Sequence, residues 1–427
     1  MKREMLDTLK LWKENKDKKS LLLLGARQVG KTYLVREFGK ECYDNFVEIN
    51  FEFDYTSRTI FQDDLQLDDL IMKLSMHTRK SINENTLIFF DEIQVCPRAI
   101  VSLKLFAQSK YDVVASGSLL GVSLNNVSSF PVGYVDTYTL YPLSFKEFLW
   151  SQGISDQIID QVYQCYLEKK PVDEFIHKHM NDLLLKYVVI GGMPAVVNQF
   201  NNDKDFEAVI KVQKQIISDY RNDMAKYCTK VIREKVKNVY DSLCDQLAME
   251  NKKFQYKVVK SGGTARYYAS SIDWIVDSGI AHKVNKLKTI DIPLKAYRDP
   301  QSFKLYLNDT GLLLSMYEEN VAFKILQGEL GVFKGGIFEN LVYILLKNNH
   351  QNIYYFEKGQ MEIDFITLVN EEPTPIEVKS GYNTKSKSLK LYIEKQSPKK
   401  AIKLSLNNVN CNDDIIECYP LYMAMFI

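Results

Sequence analysis

Short apolar runs alternate with segments of helical length over residues 20–150. The runs are SLLLLG, FVEINFE, TLIFFDE and YDVVASG, and each ends in a small or acidic residue. Nearly continuous apolar runs are typical of strands that are buried on both faces of a parallel sheet. Because helical segments separate the runs, the pattern predicts a doubly wound α/β domain.

The next stretch, residues 155–227, has a helical pattern throughout. Apolar side chains recur at steps of three and four residues, the spacing of one buried helix stripe; they are Val209, Val212, Ile216, Tyr220, Met224 and Tyr227. The segment VVIGGMPAVV (residues 188–197) interrupts the helices, and its glycines and proline predict a turn. It contains no ionisable side chain, so we expect a lid or interdomain turn and not a second active site.

The remainder of the chain predicts two further modules. A helix over residues 231–249, then short helices and the strand-like KVNKLKTI, is an order compatible with a winged helix. Beyond residue 300 the chain continues through FKLYLNDTGLLLSMY and a helix near residues 336–348, and then becomes β-rich. EIDFITLV and TPIEVKS flank NEEP, which predicts a hairpin.

Composition narrows the class of protein. A chain of 427 residues suggests about three domains. Its 55 basic and 54 acidic side chains give a net charge of +1, so no global field draws it to nucleic acid or to an anionic membrane. The apolar runs fall short of a bilayer span, the first twenty residues are charged throughout, and the seven cysteines form no CxxC pair. We therefore expect a cytoplasmic protein with reduced thiols and no membrane partner.

The sequence GARQVGKT fits the P-loop pattern GxxxxGK[ST] and lies between a predicted strand and a predicted helix. Glycines let such a loop curl so that its N–H groups and the helix N-terminus point at phosphates. We expect Lys31 to contact the β- and γ-phosphates and Thr32 to ligate Mg²⁺. The expected ATP-binding residues are Gly25, Ala26, Arg27, Gln28, Val29, Gly30, Lys31 and Thr32.

A second motif, LIFFDE, completes the expected nucleotide site. Four apolar residues bring Asp91 to the carboxyl edge of the sheet, where it would hold Mg²⁺. Glu92 would then polarise the attacking water. The strand YDVVASGS places Ser116 at the same edge, either as a sensor of the γ-phosphate or as a simple strand-end cap.

These motifs carry a resemblance to a known family. The chain resembles bacterial and archaeal AAA-type ATPases that are fused to a C-terminal domain of unknown function. Its N-terminal part has the motifs of that group in the same order: GARQVGKT, LIFFDEIQ, VVASGS, LYPLSFKEFL and VIGGMPAVV. The C-terminal part extends the match with FKLYLNDTGLL, GGIFENLV, EIDFI and PIEVKSG. The group is similar to AAA+ and STAND switch ATPases, which implies ATP and Mg²⁺. Many relatives carry a basic residue after the glycine of FPVGY, but here it is Tyr134. Arg98, Arg221 and Arg233 stay open as arginine-finger candidates.

A carboxylate pattern near the C-terminus predicts a second site. Glu377 and Lys379 share a strand face, Glu339 lies on a predicted helix, and Asp364 lies across the hairpin, roughly opposite Lys379. This Glu…Asp…ExK pattern resembles the restriction-endonuclease-like (PD-(D/E)xK) superfamily, which implies cleavage of phosphodiesters with Mg²⁺. We expect the three carboxylates to converge within metal-ligating distance, with Lys379 in the same pocket.

Two local groups of basic residues suggest contact with DNA or another nucleic acid. Residues 374–405 hold eight lysines against two glutamates, a strip able to follow a phosphate backbone or simply a solvated helix face. Lys257, Lys260 and Arg266 lie near the turn of the expected winged helix.

Together these features predict an α/β P-loop ATPase domain (residues 1–154), a helical lid (155–227), a winged-helix-like module (228–300) and a restriction-endonuclease-like domain (301–427). The expected function is an ATP-hydrolysing AAA-type switch whose nuclease-like domain acts on or binds nucleic acid. The alternative is a signalling or scaffold ATPase whose last domain is inactive and binds a protein or nucleic acid without cutting it. A protein partner or assembly into a homo-oligomer is open in either case. A small-molecule P-loop kinase is disfavoured, because an Asp-Glu pair followed by several domains does not suit it.

Overall fold

The computed structural model describes residues 1–117, 131–329, 334–349, 352–382 and 386–427. The chain forms two compact units. The first comprises Met1–Tyr141 together with the short segment Asp277–Gly279, and the second comprises Pro142–Val276 and Ile280–Ile427.

The first unit is built on a five-stranded parallel sheet in the order β2-β3-β4-β1-β5. Its strands are β1 (Ser20–Leu24), β2 (Asn45–Asn50), β3 (Thr86–Asp91), β4 (Asp112–Ser116) and β5 (Val135–Thr139). The four predicted strands and the α/β class are thus confirmed. Strand β5 was missed, because VDTYT at the sheet edge is only partly buried and lacks an apolar run.

Helices α1 (Met5–Glu14), α2 (Lys31–Cys42), α3 (Leu67–Thr78) and α4 (Pro97–Phe106) belong to the same unit. Strand β3 is buried along its whole length, as expected for a central strand. A core of apolar side chains packs between this sheet and the helices; it includes Leu22, Phe51, Phe61, Leu74, Phe90 and Phe106. This packing fixes the carboxyl edge of the sheet, where the motif residues lie.

The second unit begins with the predicted helical region. Its helices are α5 (Phe145–Ser151), α6 (Asp156–Glu168), α7 (Glu174–Ile190), α8 (Pro194–Asp203) and α9 (Phe206–Tyr227). The side chain of Ser144 caps α5 by accepting from the backbone N–H of Glu147, and the Glu147 carboxylate accepts from the Ser144 N–H. The predicted stripe on α9 is buried at Val209, Ile216, Tyr220 and Met224 and partly buried at its other two positions.

The turn predicted at VVIGGMPAVV is confirmed. Helix α7 ends at Ile190, Gly191 has a φ of 77°, and α8 begins at Pro194. A Cβ atom at Gly192 would lie 2.2 Å from the carbonyl oxygen of Leu143, so only glycine fits this close backbone approach.

Four helices follow: α10 (Lys230–Asp241), α11 (Leu243–Ala248), α12 (Tyr256–Val259) and α13 (Ala265–Asp277). The helix predicted over residues 231–249 is therefore interrupted at Ser242. Four more helices lie later in the chain, among the strands of a second sheet: α14 (Thr310–Leu314), α15 (Asn320–Leu326), α16 (Lys334–Asn348) and α17 (Lys387–Gln396).

A seven-stranded mixed sheet forms the rest of the second unit, in the order β12-β11-β10-β9-β8-β6-β7. Its strands are β6 (Ala281–Leu287), β7 (Arg298–Leu307), β8 (Tyr354–Lys358), β9 (Met361–Val369), β10 (Glu372–Val378), β11 (Ala401–Ser405) and β12 (Ile416–Pro420). The expected boundary at residue 300 falls inside β7, and β6 pairs with both β7 and β8. Residues 281–300 thus contribute strands to this sheet.

The predicted hairpin is confirmed as β9 and β10, which pair antiparallel. Asn370 and Glu371 form its tight turn with positive φ values of 50° and 66°. The predicted register is wrong by two residues. Phe365 pairs with Ile376, which aligns Asp364 with Glu377 and not with Lys379. All four residues of NEEP were expected to close the hairpin, but only Asn370 and Glu371 do, because Glu372 already pairs with Val369. The shorter turn sets this register.

Within the described ranges, no single helix is long and apolar enough to cross a membrane. The helices α7 and α8 reach the required length and apolar composition only when they are taken together, and they are bent by 119° at the break between them.

Candidate functional site

The loop between β1 and α2 has the backbone of a phosphate-binding loop. Gly25 and Gly30 have φ values of 142° and 95°, and Gln28, at 67°, also lies in the left-handed region. A Cβ atom at Gly25 would lie 2.2 Å from the carbonyl oxygen of Leu140. Glycine is therefore required at Gly25 both by φ and by close packing. Gly279, in the short segment assigned to this unit, is also close, because its Cβ atom would lie 3.3 Å from the Ala26 nitrogen.

Lys31 begins α2 and is only 6% exposed. Its Nζ donates to the carbonyl oxygens of Gly25 and Ala26, at 2.9 and 2.8 Å. Burial lowers the pKa of Lys31 to about 8, although the nearby carboxylates of Glu92 and Asp91 oppose the shift. Anionic phosphates placed beside this ammonium would raise its pKa again, so the lysine is suited to a charged ligand.

Asp91 ends β3 and is 3% exposed. Its Oδ2 accepts from Thr32 Oγ1 at 3.1 Å and from Asn50 Nδ2 at 3.0 Å, while its Oδ1 accepts from Ser116 Oγ at 2.5 Å. Burial raises the pKa of Asp91, and the Ser116 and Thr32 hydroxyls partly counter this. The P-loop helix and three parallel strands therefore meet at one carboxylate; the P-loop, β3 and β4 were expected at this edge, and β2 was not.

Asn50 was missed by the sequence reasoning. It ends β2, the neighbour of β3, and its amide binds Asp91 directly. The available signal was its place near the end of the predicted run FVEINFE, because carboxyl ends of adjacent parallel strands meet at one edge.

Glu92 follows Asp91 in the left-handed conformation, with a φ of 52°. This conformation is uncommon outside glycine, asparagine and aspartate, and it costs free energy. The Glu92 carboxylate accepts from Gln94 Nε2 at 2.5 Å. Gln94 thus holds the Glu92 carboxylate directly after the end of β3.

A cleft of about 320 Å³ lies beside the first turns of α2. The N-terminal segment lines it with Met1, Lys2, Arg3 and Leu6, and α2 contributes Tyr33, Leu34, Glu37 and Glu41. Arg3 is buried and fixes this segment, because its guanidinium donates to the carbonyl oxygens of Val29 and Tyr141 at 2.9 and 2.7 Å. The N-terminal amine donates to the Tyr33 hydroxyl at 3.1 Å. No sequence motif pointed to this cleft.

The three arginines considered as arginine fingers lie on different elements and have different partners. Arg98 donates to the carbonyl oxygens of Phe61 and Asp63. In the second unit, Arg221 pairs with Asp241 at 2.7 Å, and Arg233 is exposed on α10. Tyr134 packs under the ammonium of Lys104, 4.9 Å from the ring centroid.

The second predicted site has a different chemistry from the one expected. Glu339, on α16, is 4% exposed and pairs with two lysines: Lys252 Nζ lies 2.8 Å from Oε1, and Lys304 Nζ lies 3.3 Å from Oε2. Tyr306 also donates to Oε2, at 3.1 Å. Burial would raise the pKa of Glu339, but the two lysines lower it below its usual value.

The other members of the pattern are also held by protein groups. Asp364 Oδ2 accepts from the Val378 N–H at 2.8 Å. Glu377 Oε1 accepts from Lys379 Nζ at 2.7 Å and from Ser386 Oγ at 2.9 Å. Burial of its carboxyl group, together with the charges of Glu339 and Glu377, raises the pKa of Asp364 well above the usual range.

The expectation that Glu339, Asp364 and Glu377 converge on a metal ion is not met. In the parts of the chain that the structure describes, no group of three or more histidine, cysteine, aspartate or glutamate side chains could hold one. Lys379 does contact Glu377, as predicted. The physical reason is that lysines missed by the sequence reasoning, Lys252 and Lys304, lie far from the motif in sequence and take up the carboxylate of Glu339.

Some of the basic residues expected to contact nucleic acid are exposed, and others are paired with carboxylates. Lys257, Lys260 and Arg266 are all exposed. In the lysine-rich strip, Lys399 pairs with Glu372, and Lys400 lies 2.7 Å from Glu417. Part of the strip's charge is therefore neutralised within the unit.

Comparison with known proteins divides the sequence into three segments. Residues 17–149 match the family described as AAA domain. Residues 181–322 and 334–423 match two domains of unknown function, DUF8612 and DUF4143. Among curated proteins, none matches the chain.

Solved structures similar to the chain include the Walker-type ATPase of Pyrococcus abyssi, at 14% identity and a TM-score of 0.42, covering 74% of this chain and 95% of that one. The Orc1 protein of Aeropyrum pernix, solved in complex with DNA, shows 12% identity and a TM-score of 0.28, covering 77% and 91%. PCH-2 of C. elegans also shows 12% identity and a TM-score of 0.28, covering 49% and 67%. The P-loop and Asp91 both lie in the segment that matches the AAA domain family, residues 17–149.

Proposed function

We propose that the first unit binds ATP with Mg²⁺ and hydrolyses it, so that the protein acts as an ATP-driven switch. The observation that carries this proposal is the convergence of Thr32, Asn50 and Ser116 on the Asp91 carboxylate. A buried carboxylate beside a P-loop hydroxyl is the donor set that Mg²⁺ prefers, because both ligands are oxygens. The residues present therefore fit the ion.

Each motif residue has a distinct role in this proposal. The N–H groups of the P-loop and the Lys31 ammonium bind the phosphates, and the two carbonyl contacts of Lys31 hold the side chain ready in the loop. Thr32 and Asp91 would hold Mg²⁺, which when bound neutralises phosphate charge. Ser116 and Asn50 orient Asp91.

Glu92 is the group best placed to accept a proton from the attacking water. It follows the strand that ends at Asp91, and Gln94 orients its carboxylate. General-base catalysis of this kind contributes about 10²–10⁴-fold to a rate. The left-handed backbone at Glu92 supports this role, since strained conformations cluster at functional sites.

The cleft beside α2 is the proposed site for the nucleoside. A triphosphate held by residues 25–32 leaves the P-loop past the first turn of α2, where Tyr33 and Leu34 line the cleft. Its volume of about 320 Å³ falls within the usual range for ligand pockets. Tyr33, at 49% exposure, supplies an aromatic face for the base.

The test compares two variants. Lys31→Ala should abolish ATP binding, because the phosphates lose the buried ammonium that the P-loop carbonyls hold in place. Glu92→Gln should retain ATP binding but lose turnover by about 10²-fold or more, because the amide cannot take the proton. Binding is measured by titration calorimetry and turnover by phosphate release. Equal turnover in Glu92→Gln and the parent would remove Glu92 from the role of base.

For the second unit, which begins at Pro142, we propose a helical lid over residues 155–227 and then a winged-helix-like module that begins at residue 228. The strands β6 and β7 of this module belong to the same sheet as the nuclease-like domain that follows, so residue 300, which lies inside β7, does not separate the two. The run of α10 to α13 before the β6–β7 pair supports the winged helix. A helix-borne Glu339 near a hairpin-borne Asp364 supports the nuclease-like fold. The two roles open to it are cleavage of nucleic acid, or binding of nucleic acid or a protein partner without cleavage.

Binding without cleavage is favoured by one observation: both oxygens of Glu339 are taken by protein donors. The experiment incubates the full chain with ATP, Mg²⁺ and labelled DNA, and measures retention and fragment length in parallel. We expect retention of DNA at its original length. Fragments that disappear in Asp364→Ala, with ATP turnover unchanged, would establish cleavage instead.

A further inference from the structure

Lys304 occupies an unusual position for a lysine. It lies on β7 with 1% of its side chain exposed, and it contacts carboxylates from two other elements. Its Nζ is 3.3 Å from Glu339 Oε2 on α16 and 3.7 Å from Glu362 Oε1 on β9. The ring of Tyr355 lies beneath it, 5.0 Å away.

The ammonium of Lys304 is held in its charged form by these neighbours. Burial alone would lower the pKa of Lys304, because a low-dielectric interior disfavours charge. Glu339, Asp364 and Glu362 outweigh that effect and raise its pKa above the usual value. A charged group this deeply buried is stable only when it is paired, so the carboxylates and Lys304 depend on one another.

The charges around this lysine nearly balance without any added ion. Glu339, Glu362, Asp364 and Glu377 supply four carboxyl groups, and Lys252, Lys304 and Lys379 supply three ammonium groups that contact Glu339, Glu362 or Glu377. A divalent cation added to such a set would leave positive charge in excess. It would also have to displace ammonium donors from both oxygens of Glu339.

We infer that Lys304 takes the place of a divalent cation in this cluster, so that the nuclease-like domain folds around an internal ammonium and binds no divalent metal there. A metal ion is expected at this cluster only because the second unit is proposed to be nuclease-like, and to that extent the inference rests on the proposed function. The lysine contacts themselves do not depend on it. The consequence is that the domain lacks the Lewis acid that metal-dependent phosphodiester cleavage requires, and that its interaction with nucleic acid or protein is independent of divalent ions.

One carboxylate oxygen remains available in the cluster. Glu377 is 5% exposed, and its Oε2 has no hydrogen-bond partner within the described residues, while its Oε1 accepts from Lys379 and Ser386. With Lys304 replaced by an apolar side chain, Glu339, Asp364 and this free oxygen would lack one compensating charge. Buried carboxylates that lose a counter-charge must either take up protons or pair with another cation. We therefore expect Mn²⁺, when supplied, to take the place that the ammonium leaves.

The experiment measures Mn²⁺ binding to the nucleotide-free full chain by electron paramagnetic resonance, in a Lys31→Ala background that removes the ATP site. The chain with Lys304 in place should bind no Mn²⁺ in the second unit. Lys304→Met should bind Mn²⁺ at concentrations at least about tenfold below the highest one at which the parent shows no binding, since repulsion between the ammonium and the ion is removed. Mn²⁺ should also raise the melting temperature of this variant.

Lys283→Met is the matched control. Lys283 lies on β6, next to β7, and its ammonium packs over the Phe303 ring, 4.3 Å from the centroid. Its loss should leave Mn²⁺ binding unchanged. If Lys304→Met does not fold, the pair Lys304→Met with Glu339→Gln removes one charge of each sign, and it should fold without gaining Mn²⁺ binding.

The parent chain by itself decides the question. Saturable Mn²⁺ binding to it that Asp364→Asn abolishes would overturn the inference, and so would a folded Lys304→Met that gains no Mn²⁺. ATP turnover, measured separately in the chain with Lys31, tests the proposed function of the first unit independently.

Discussion

Ser116 donates a hydrogen bond of 2.5 Å to Oδ1 of Asp91, across the gap between β4 and β3. The hydroxyl is fully buried, and it offsets part of the rise that burial causes in the pKa of Asp91. Ser116 therefore holds the carboxylate proposed for Mg²⁺.

Ser116→Ala should move the acid limb of the ATPase pH profile to higher pH. Without the hydroxyl, the pKa of Asp91 rises further, so a higher pH is needed to ionise the carboxylate that binds the metal. We expect turnover near neutral pH to fall about tenfold, as for the loss of one hydrogen bond to a charged group. The pH dependence of phosphate release measures both effects.

Ser102→Ala is the control for Ser116→Ala. Ser102 is also buried in the first unit, but its hydroxyl donates to the carbonyl oxygen of Ala99 within α4. Its pH profile should match that of the parent. A profile for Ser116→Ala that also matches the parent would contradict the role given to Ser116.

Arg3→Ala should weaken ATP binding about tenfold or more while the fold persists. The side chain makes two charged hydrogen bonds to backbone carbonyls, and these fix the N-terminal segment that lines the proposed nucleoside cleft. Calorimetric titration with ATP and with inorganic triphosphate separates the two parts of the ligand. The loss should appear for ATP and be small for triphosphate, which lacks the nucleoside.

Arg36→Ala is the matched arginine control. Arg36 lies on α2, the helix that lines the cleft, and it forms a surface ion pair with Glu48 of β2. Exposed pairs contribute little, so ATP binding should be unchanged. An equal loss for triphosphate and for ATP in Arg3→Ala would instead place its effect on the P-loop.

Gly192→Ala should destabilise the protein by about 1–3 kcal/mol, the usual cost of forcing an extra group into a packed site. Its Cβ atom would lie 2.2 Å from the Leu143 carbonyl oxygen, a backbone atom that cannot move alone. Gly381→Ala provides the comparison, because its Cβ atom would meet only the flexible Lys334 side chain at 3.6 Å. Urea denaturation of both variants should separate them, and equal midpoints would show that Gly192 has room to adjust.

Asp309 should make the second unit less stable as the pH rises from about 4 to 6. This carboxylate is 2% exposed and accepts from the N–H groups of Gly192 and Leu312, at 2.6 and 2.8 Å. Burial outweighs these hydrogen bonds and raises its pKa from 3.8 to about 6. Between those values the folded protein binds more protons than the unfolded chain, so the free energy of unfolding falls with pH, by about 3 kcal/mol in total.

Asp309→Asn should remove this slope, because an amide does not titrate. The amide should also cost about 1–3 kcal/mol at low pH, since its NH₂ group faces one of the two backbone donors that the carboxylate accepted from. Denaturant titrations of parent and variant at pH 4.5, 5.5 and 7 give the difference. A slope that persists in the variant would assign the pH dependence to another group.

The sequence by itself predicted the first unit closely. Four apolar runs became four parallel strands, and the P-loop and LIFFDE motifs brought Thr32 to Asp91. This succeeded because buried parallel strands have an unmistakable apolar pattern, and because their carboxyl ends share one edge. The helices of residues 155–227, the glycine turn and the β9–β10 hairpin were also predictable, because each of these elements depends on residues that are close together in the chain.

Only the tertiary structure decided what surrounds each motif. Asn50 and Arg3 join the nucleotide site through sheet order and packing, which no local pattern encodes. The carboxylate pattern of the C-terminal part suggested a metal, but Lys252 and Lys304 lie 87 and 35 positions before Glu339 and neutralise it in the fold. A sequence pattern records which charges a segment carries, whereas the counter-charge depends on contacts between distant elements, and these form only when the sheet and α16 pack together.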